Sequence, residues 1–421
     1  MVTRKKRRTA AVPEQPSGTL AIQMPPEKAE PASIGNVLMM VVPMLGSTGV
    51  MVFMAMQNPD NTRSMLMGGG MLVAMLGMVG FNMYRQFSQY RTRVKTQRRE
   101  YLSYLAETRE SVRKVAKKQR AYYNWVYPSP DALVTLAANG SRLWSREGNT
   151  YNLLTFRYGS GTQPLGLIFE RPPIDPMTEM DVVCLSAMDR FIGVHDHTDN
   201  VGKFLYLGDF SHIEVVGDGE SAYDEMRAIM MHLACFIDPS KLKIAVLCSA
   251  DRLGDWEWVK WMPQARSSIV RDAVGPGRMI STDPRELAEM IGPDIAMRGA
   301  YRPGDDMPEW PHLLLVLDGA EFPPNSPFGS AVGVRGVTIM SRVREWTAMK
   351  SHTALRLVIH PNPDHKGADM VDVVTMDSLP EQAFADRLTA VQAEAVARRM
   401  TPFATQQNLE EAETPVGRSD E

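Results

Sequence analysis

Two segments have the residue types and the spacing for phosphate chemistry. Residues 212–236, HIEVVGDGESAYDEMRAIMMHLACF, read as a strand, a glycine-containing turn and an amphipathic helix. Residues 312–319, HLLLVLDG, read as an apolar strand with Asp318 at its C-terminal tip. A site that hydrolyses a nucleoside triphosphate needs both parts. A loop at a helix N-terminus cradles the phosphates, and an Asp on a later strand holds magnesium. The loop here is Gly217, Asp218, Gly219, Glu220 and Ser221. It lacks the Lys of G-x-x-x-x-G-K-[ST], whose ammonium neutralises the β- and γ-phosphates. Asp218 and Glu220 instead set negative charge where phosphate would lie. The chain's Gly-Lys pair, Gly202-Lys203, has His197 five residues ahead of Gly202 and a strand after it, so it forms no such loop. The reading is a vestigial phosphate-loop position with a Walker-B-like Asp318. It has no catalytic residue, cofactor or metal of its own.

The remaining constellations carry less. His195, Asp196, His197 and Asp199 fall in a polar stretch, where adjacent histidines are more often solvated than metal-bound. Trp256, Trp258 and Trp261 alternate in DWEWVKW, a spacing that suits a partner site, a lid or a core. Cys184, Cys235 and Cys248 all sit in apolar surroundings, with no metal-ligand spacing, and read as buried and reduced.

These residues need an α/β frame to position them. Strands are predicted at 153–158, 164–169, 204–207, 213–216, 243–248, 312–317, 337–340 and 355–359. Helices are predicted at 180–191, 221–236, 284–291 and 380–398. Uninterrupted apolar strands such as HLLLVL suit a parallel sheet covered on both faces. The expected class is therefore α/β, with a three-layer P-loop-NTPase-like domain over 141–403 and a degenerate phosphate loop.

The first third of the chain has a different character. Residues 36–57 carry no ionisable side chain, and after the break NPDNTR a second uncharged run covers 64–84. Each is about 21 residues, roughly 30 Å of helix, the thickness of a bilayer core. Residues 36–84 are thus expected to form a two-helix transmembrane hairpin. Charge is segregated around it: +3 over 1–35, +9 over 85–120 and −15 over 121–421. The positive flanks place both termini in the cytoplasm and the chain in the plasma membrane as a multi-pass protein. Twelve of the 30 methionines fall between residues 39 and 83. Gly70, Ala74, Gly77 and Gly80 form a small-residue face suited to a helical partner. Residues 85–140 read as a helical stalk. It is free of Gly and Pro through residue 120, and Tyr101 and Leu105 lie in a narrow partner-facing stripe. Pro128 and Pro130 stop that helix, and Asp131 is placed to cap the next. Residues 1–35 read as disordered, and 404–421 as a linker or truncated end.

Several motifs in fixed order carry a resemblance. They are RREYLSYL at 98–105, PSPDAL at 128–133, RLWSR at 142–146 and GTQPL at 161–165. With the basic N-terminus and the double uncharged run, the chain resembles the N-terminal part of the EccC-type, FtsK/SpoIIIE-like membrane ATPase of type VII (ESX) secretion systems. The resemblance implies a membrane-anchoring and energy-coupling segment of a secretion motor. ATP and Mg would belong to downstream domains, absent here, that also bind secreted proteins. It implies as partners EccB-, EccD- and EccE-like membrane subunits, further copies of the chain and the lipid bilayer, with no nucleic acid. The other reading is the anchor of a DNA translocase of the same superfamily, which the −15 of residues 121–421 opposes.

Overall fold

The computed structural model describes residues 12–30, scattered positions between 35 and 53, and 62–403 apart from 147–152, 274, 305–309, 345–347, 350 and 366. In chain order the N-terminal half holds β1 (Gly18–Ala21), α1 (Thr62–Val126), α2 (Pro130–Asn139), β2 (Thr155–Pro164), β3 (Leu167–Glu170), α3 (Val182–His195) and β4 (His197–Tyr206). Then come β5 (His212–Gly217), α4 (Ser221–Phe236), β6 (Leu242–Cys248), β7 (Arg266–Asp272), β8 (Gly275–Arg278), β9 (Ile280–Ser281) and α5 (Pro284–Ile291). The chain continues through β10 (His312–Asp318), β11 (Val337–Val343), β12 (Ala354–Pro361), β13 (Asp369–Val374), β14 (Glu381–Ala385) and α6 (Ala390–Met400). Two compact units result, one of Pro16–Lys117 with Leu165–His197, the other of Met1–Gln15, Lys118–Pro164 and Thr198–Glu421.

Among the described residues no helix is long and apolar enough to cross a membrane. This overturns the expected transmembrane hairpin, and with it the multi-pass localisation. The uncharged run 64–84 is the first third of α1, diluted by five glycines, Ser64 and Asn82, and the same helix is densely charged from Arg85 onward. Most of 36–57 lies outside the described residues. The expected disorder of 1–35 is also corrected in part. Within it, β1 pairs in parallel with β3, Gly18 opposite Leu167 and Ala21 opposite Glu170.

The first unit packs α3 and the β1–β3 ribbon on α1. Asp181 caps α3 by accepting from Val183 and Cys184 N–H at 3.1 Å, and Arg98 donates to both of its carboxylate oxygens. The Tyr101 hydroxyl donates to the Gln23 carbonyl, and the Gln23 N–H donates to the Tyr104 hydroxyl. Tyr101 and Leu105 are only 6% and 4% exposed. The RREYLSYL motif therefore takes part in this chain's own packing, with Tyr101 and Leu105 buried in the core between α1 and α3. Their apolar area is worth more against α3 than against a solvated flank.

The second unit is built on a ten-stranded sheet in the order β4-β2-β14-β13-β12-β5-β11-β10-β6-β9. The segment from β12 to β9 is parallel, and β12, β13, β14 and β2 pair antiparallel. Alternate residues of each parallel strand enter different cores. Ile244, Val246, Leu314 and Val316 join the α4 side. Ala245, Leu247, Leu313 and Leu315 join the α5 side with Phe322 and Phe328. Both faces are covered, which is why these strands are apolar throughout.

Three local expectations are corrected here. The helix predicted over 380–398 is β14 followed by α6, because EQAFA pairs with β13 and β2. Tertiary pairing outweighs helix propensity in so short a segment. The helix α4 is not amphipathic in place, since every residue from Ala222 to Phe236 is buried. Several of its polar residues are tied to partners, as where Glu225 Oε2 accepts from Asp386 N–H and Arg227 donates to the Leu388 carbonyl. Ser129, not Asp131, stands at the N-cap of α2, with Pro130 in the first turn.

The RLWSR motif closes the C-terminal end of α1. That helix has no basic residue in its last turn, yet its final carbonyls still need donors. Arg142 donates to the Trp125 carbonyl, and Arg146 donates to the carbonyls of Val126 and Thr155. Arg146 also stacks on Tyr127 and Phe236, 5.3 and 5.0 Å from their ring centres. Burial pulls its pKa down to about 10, the electrostatic cost of a cation enclosed among carbonyls and rings.

Candidate functional site

The parallel strands deliver the chain's chemistry to their C-terminal ends. From β5 the chain passes to β6, three places away, returns through β10 and β11, and then crosses to β12 on the other side of β5. That reversal makes a crevice at the C-terminal end of β5, where ligands of open α/β sheets bind. The sheet brings the 217–221 loop and Asp318 to this edge. It also brings Tyr223, Trp256, Arg252 and Arg342, which the motif reading did not assign to the site.

The loop is poorly shaped for phosphate. Only three residues separate β5 from α4, too few for the eight-residue cradle. A Cβ on Gly217 would lie 3.1 Å from Ile359 Cβ, so Gly217 serves the passage of β12. Gly219 turns the chain with φ +56°. Glu220 stands at the N-cap of α4 without capping it and accepts from Arg227. The Ser221 hydroxyl donates to Asp369 at 2.7 Å. Asp218 and Glu220 are exposed, so two carboxylates stand beside the helix N-terminus and disfavour an anion there.

Asp318 is already in use. It is 1% exposed. Its Oδ1 accepts from the Tyr223 hydroxyl at 3.1 Å, and its Oδ2 accepts from the Trp256 indole N–H at 2.9 Å. Arg252 Nε lies 3.5 Å from the same Oδ2. The Tyr223 oxygen in turn accepts from Arg342 at 3.0 Å and from Arg252. Both guanidiniums stack on its ring, Arg252 at 4.6 Å and Arg342 at 4.5 Å from the centroid. Burial beside Asp318 pushes the Cys248 thiol up to about 11, leaving it protonated and unreactive. The cluster is a braced polar knot in which the aromatic ring of Tyr223 takes the central place between two cations.

The other sequence candidates lie elsewhere. Trp256 and Trp258 are buried core residues, and Trp261 stacks under Arg398 at 4.1 Å. His195 ends α3, and His197 bonds to Asp196. Cys184, Cys235 and Cys248 are free and buried. Gly70, Ala74, Gly77 and Gly80 are exposed along α1, and a Cβ on any of the three glycines would meet nothing within 4 Å. No signal in the local sequence marks Tyr223, because its partners Asp318 and Arg342 lie 95 and 119 residues away.

Relatives give this architecture a context. The ESX secretion system protein EccC of Thermomonospora curvata is 31% identical over 412 residues, covering 96% of this chain and 30% of that protein. This chain is a homologue of EccC proteins. The ESX-3 protein EccC3 of Mycobacterium tuberculosis is 29% identical, over 79% of this chain and 25% of its own length. The ESX-1 protein EccCa1 of the same organism is 29% identical, over 74% of this chain and 40% of its own. The chain thus spans well under half the length of each EccC relative. The solved cytoplasmic domain of the Thermomonospora curvata type VII secretion ATPase EccC is a distant likeness, with 14% identity and a TM-score of 0.31 over 61% of this chain and 32% of that one. No family model matches the chain.

Proposed function

We propose that this chain is a non-hydrolytic coupling segment of a type VII secretion ATPase. Its ATPase-like sheet transmits force and holds subunits instead of turning over nucleotide. The sealed Asp318 carries this reading. A magnesium-holding Asp must offer an open oxygen to the ion, and both oxygens of Asp318 are taken by Tyr223 and Trp256. The absent Lys and the carboxylates of Asp218 and Glu220 support it from the phosphate side. In this reading ATP and Mg act in other parts of the motor. The partners are further copies of the chain, EccB-, EccD- and EccE-like subunits of an ESX complex and, through those other parts, the secreted proteins.

Titration of the full chain with a fluorescent ATP analogue and Mg tests the first half, with no saturable signal expected up to millimolar nucleotide. Saturable, Mg-dependent binding lost in Asp318→Asn would overturn it. Purification of the tagged protein from its native cells tests the second half. Recovery of ESX subunits, lost when residues 85–120 are replaced by an unrelated helix, is the expected outcome. Recovery with DNA and without those subunits would favour a translocase.

A further inference from the structure

The first unit carries a groove that the nucleotide-site reading does not use. It lies between α1 and α3 and encloses about 520 Å³. From α1 come Leu102, Leu105, Ala106, Arg109 and Arg113, and from α3 come Ala187, Arg190, Phe191, Val194 and His195. The spacing places each set on one face of its helix. The floor is apolar and open: Leu102 is 43% exposed and Val194 54%. The rim is cationic, and among the described residues no carboxylate lines the groove. Asp189, next to Arg190 in sequence, instead lies 3.2 Å from Arg171. His195 Nε2 is closed off from solvent without a hydrogen-bond partner. Burial, with Arg109 and Arg113 close by, holds its pKa below the ordinary value.

We infer that this groove docks an acidic amphipathic helix of a partner protein. The shape favours a helix over a small anion. Residues 102–113 extend for roughly 16 Å along α1, about three turns, and the cations are spread over two helices instead of converging on one point. Two parallel ridges with a furrow between them accept a third helix through aliphatic side chains at i, i+3 and i+7. Glutamates flanking that stripe would meet Arg109, Arg113 and Arg190. Each is an exposed guanidinium whose pairing costs little desolvation and selects an acidic partner over a basic one. The inference stands independently of what the Asp318 site does.

Fluorescence anisotropy on the full chain tests it. The probe is a labelled helical peptide of about 18 residues, five turns, with leucines at the stripe positions and glutamates elsewhere. The control peptide carries lysine in place of glutamate. The expected result is saturable, salt-sensitive binding of the glutamate peptide alone. The double variant Arg109→Glu/Arg113→Glu should weaken it by about tenfold or more and gain binding of the lysine peptide. The reciprocal gain shows that the variant still folds. Absence of saturable binding, or equal affinity for wild type and variant, overturns the inference. So does binding of phosphatidylserine vesicles, lost in the same variant, with no binding of the peptide; that outcome assigns the groove to a lipid surface.

Discussion

Replacing Asp318 separates a structural brace from a magnesium ligand. In Asp318→Ala the Tyr223 hydroxyl and the Trp256 indole N–H lose their acceptor while remaining 4% and 1% exposed as residues. A buried donor left without a partner costs about 1–3 kcal/mol. Two such donors, with Arg252 left facing an uncharged site, bring the expected loss to about 3–5 kcal/mol. Asp318→Asn keeps the shape and one acceptor oxygen, so its loss should be smaller, about 1–2 kcal/mol. Urea denaturation followed by tryptophan fluorescence reads the difference, since Trp256 reports from inside the cluster, with far-UV circular dichroism as the global probe. A loss under about 1 kcal/mol in Asp318→Ala would refute the brace. So would a wild-type midpoint that rises with Mg and ATP through an effect absent in Asp318→Asn, because a ligand that binds only the folded state must raise its stability.

Other perturbations test the remaining supports. Arg146→Met leaves two carbonyls without their donor and should cost about 2–4 kcal/mol in thermal or urea unfolding; an unchanged midpoint would show that α1 needs no clasp. Asp181→Ala removes the α3 cap and should cost about 2 kcal/mol. Arg98→Ala should cost under about 1 kcal/mol, because the Arg98 side chain is 41% exposed. Equal losses in the two variants would contradict that ranking. His312 is pulled from 6.5 down to about 3 by burial, with Arg298 adding to the effect. Its folded pKa lies below the unfolded one, so the unfolded chain takes up the proton first. The resulting stability is fully present above pH 6.5 and is lost as pH falls towards 3. At pH 5 the loss should be about 2 kcal/mol relative to pH 7, and His312→Gln should lack that component. Parallel pH profiles for wild type and variant would dismiss it.

Much of the second unit was legible because its signals are local. HLLLVLD reads as a doubly covered strand and forms β10. The apolar strands 243–248 and 355–359 reappear in β6 and β12, and 221–236 is helical as expected. The 217–221 loop and Asp318 lie at the same end of parallel strands, with β11 between β5 and β10. The motif RREYLSYL was visible as a pattern, but its meaning was not. Arg98 finds Asp181 83 residues away, a pairing that no local rule contains. The hairpin expectation failed for a related reason. Absence of charge over about 20 residues suggests a membrane span, whereas the 64–84 run opens a helix whose later turns are charged.

The sequence by itself determined that the loop before α4 carries no Lys and that Asp218 and Glu220 flank Gly219 within it. Those are properties of residue type and spacing, and folding cannot change them. Only the tertiary structure decided what became of the space. Asp318 could have waited open at a strand tip. Instead Tyr223 from α4 and Trp256 and Arg252 from the segment after β6 converge on it, and Arg342 braces Tyr223 from behind. A buried carboxylate must find partners wherever the fold brings them. Those partners come from three separate stretches of chain, so their convergence could be known only once the sheet had been assembled.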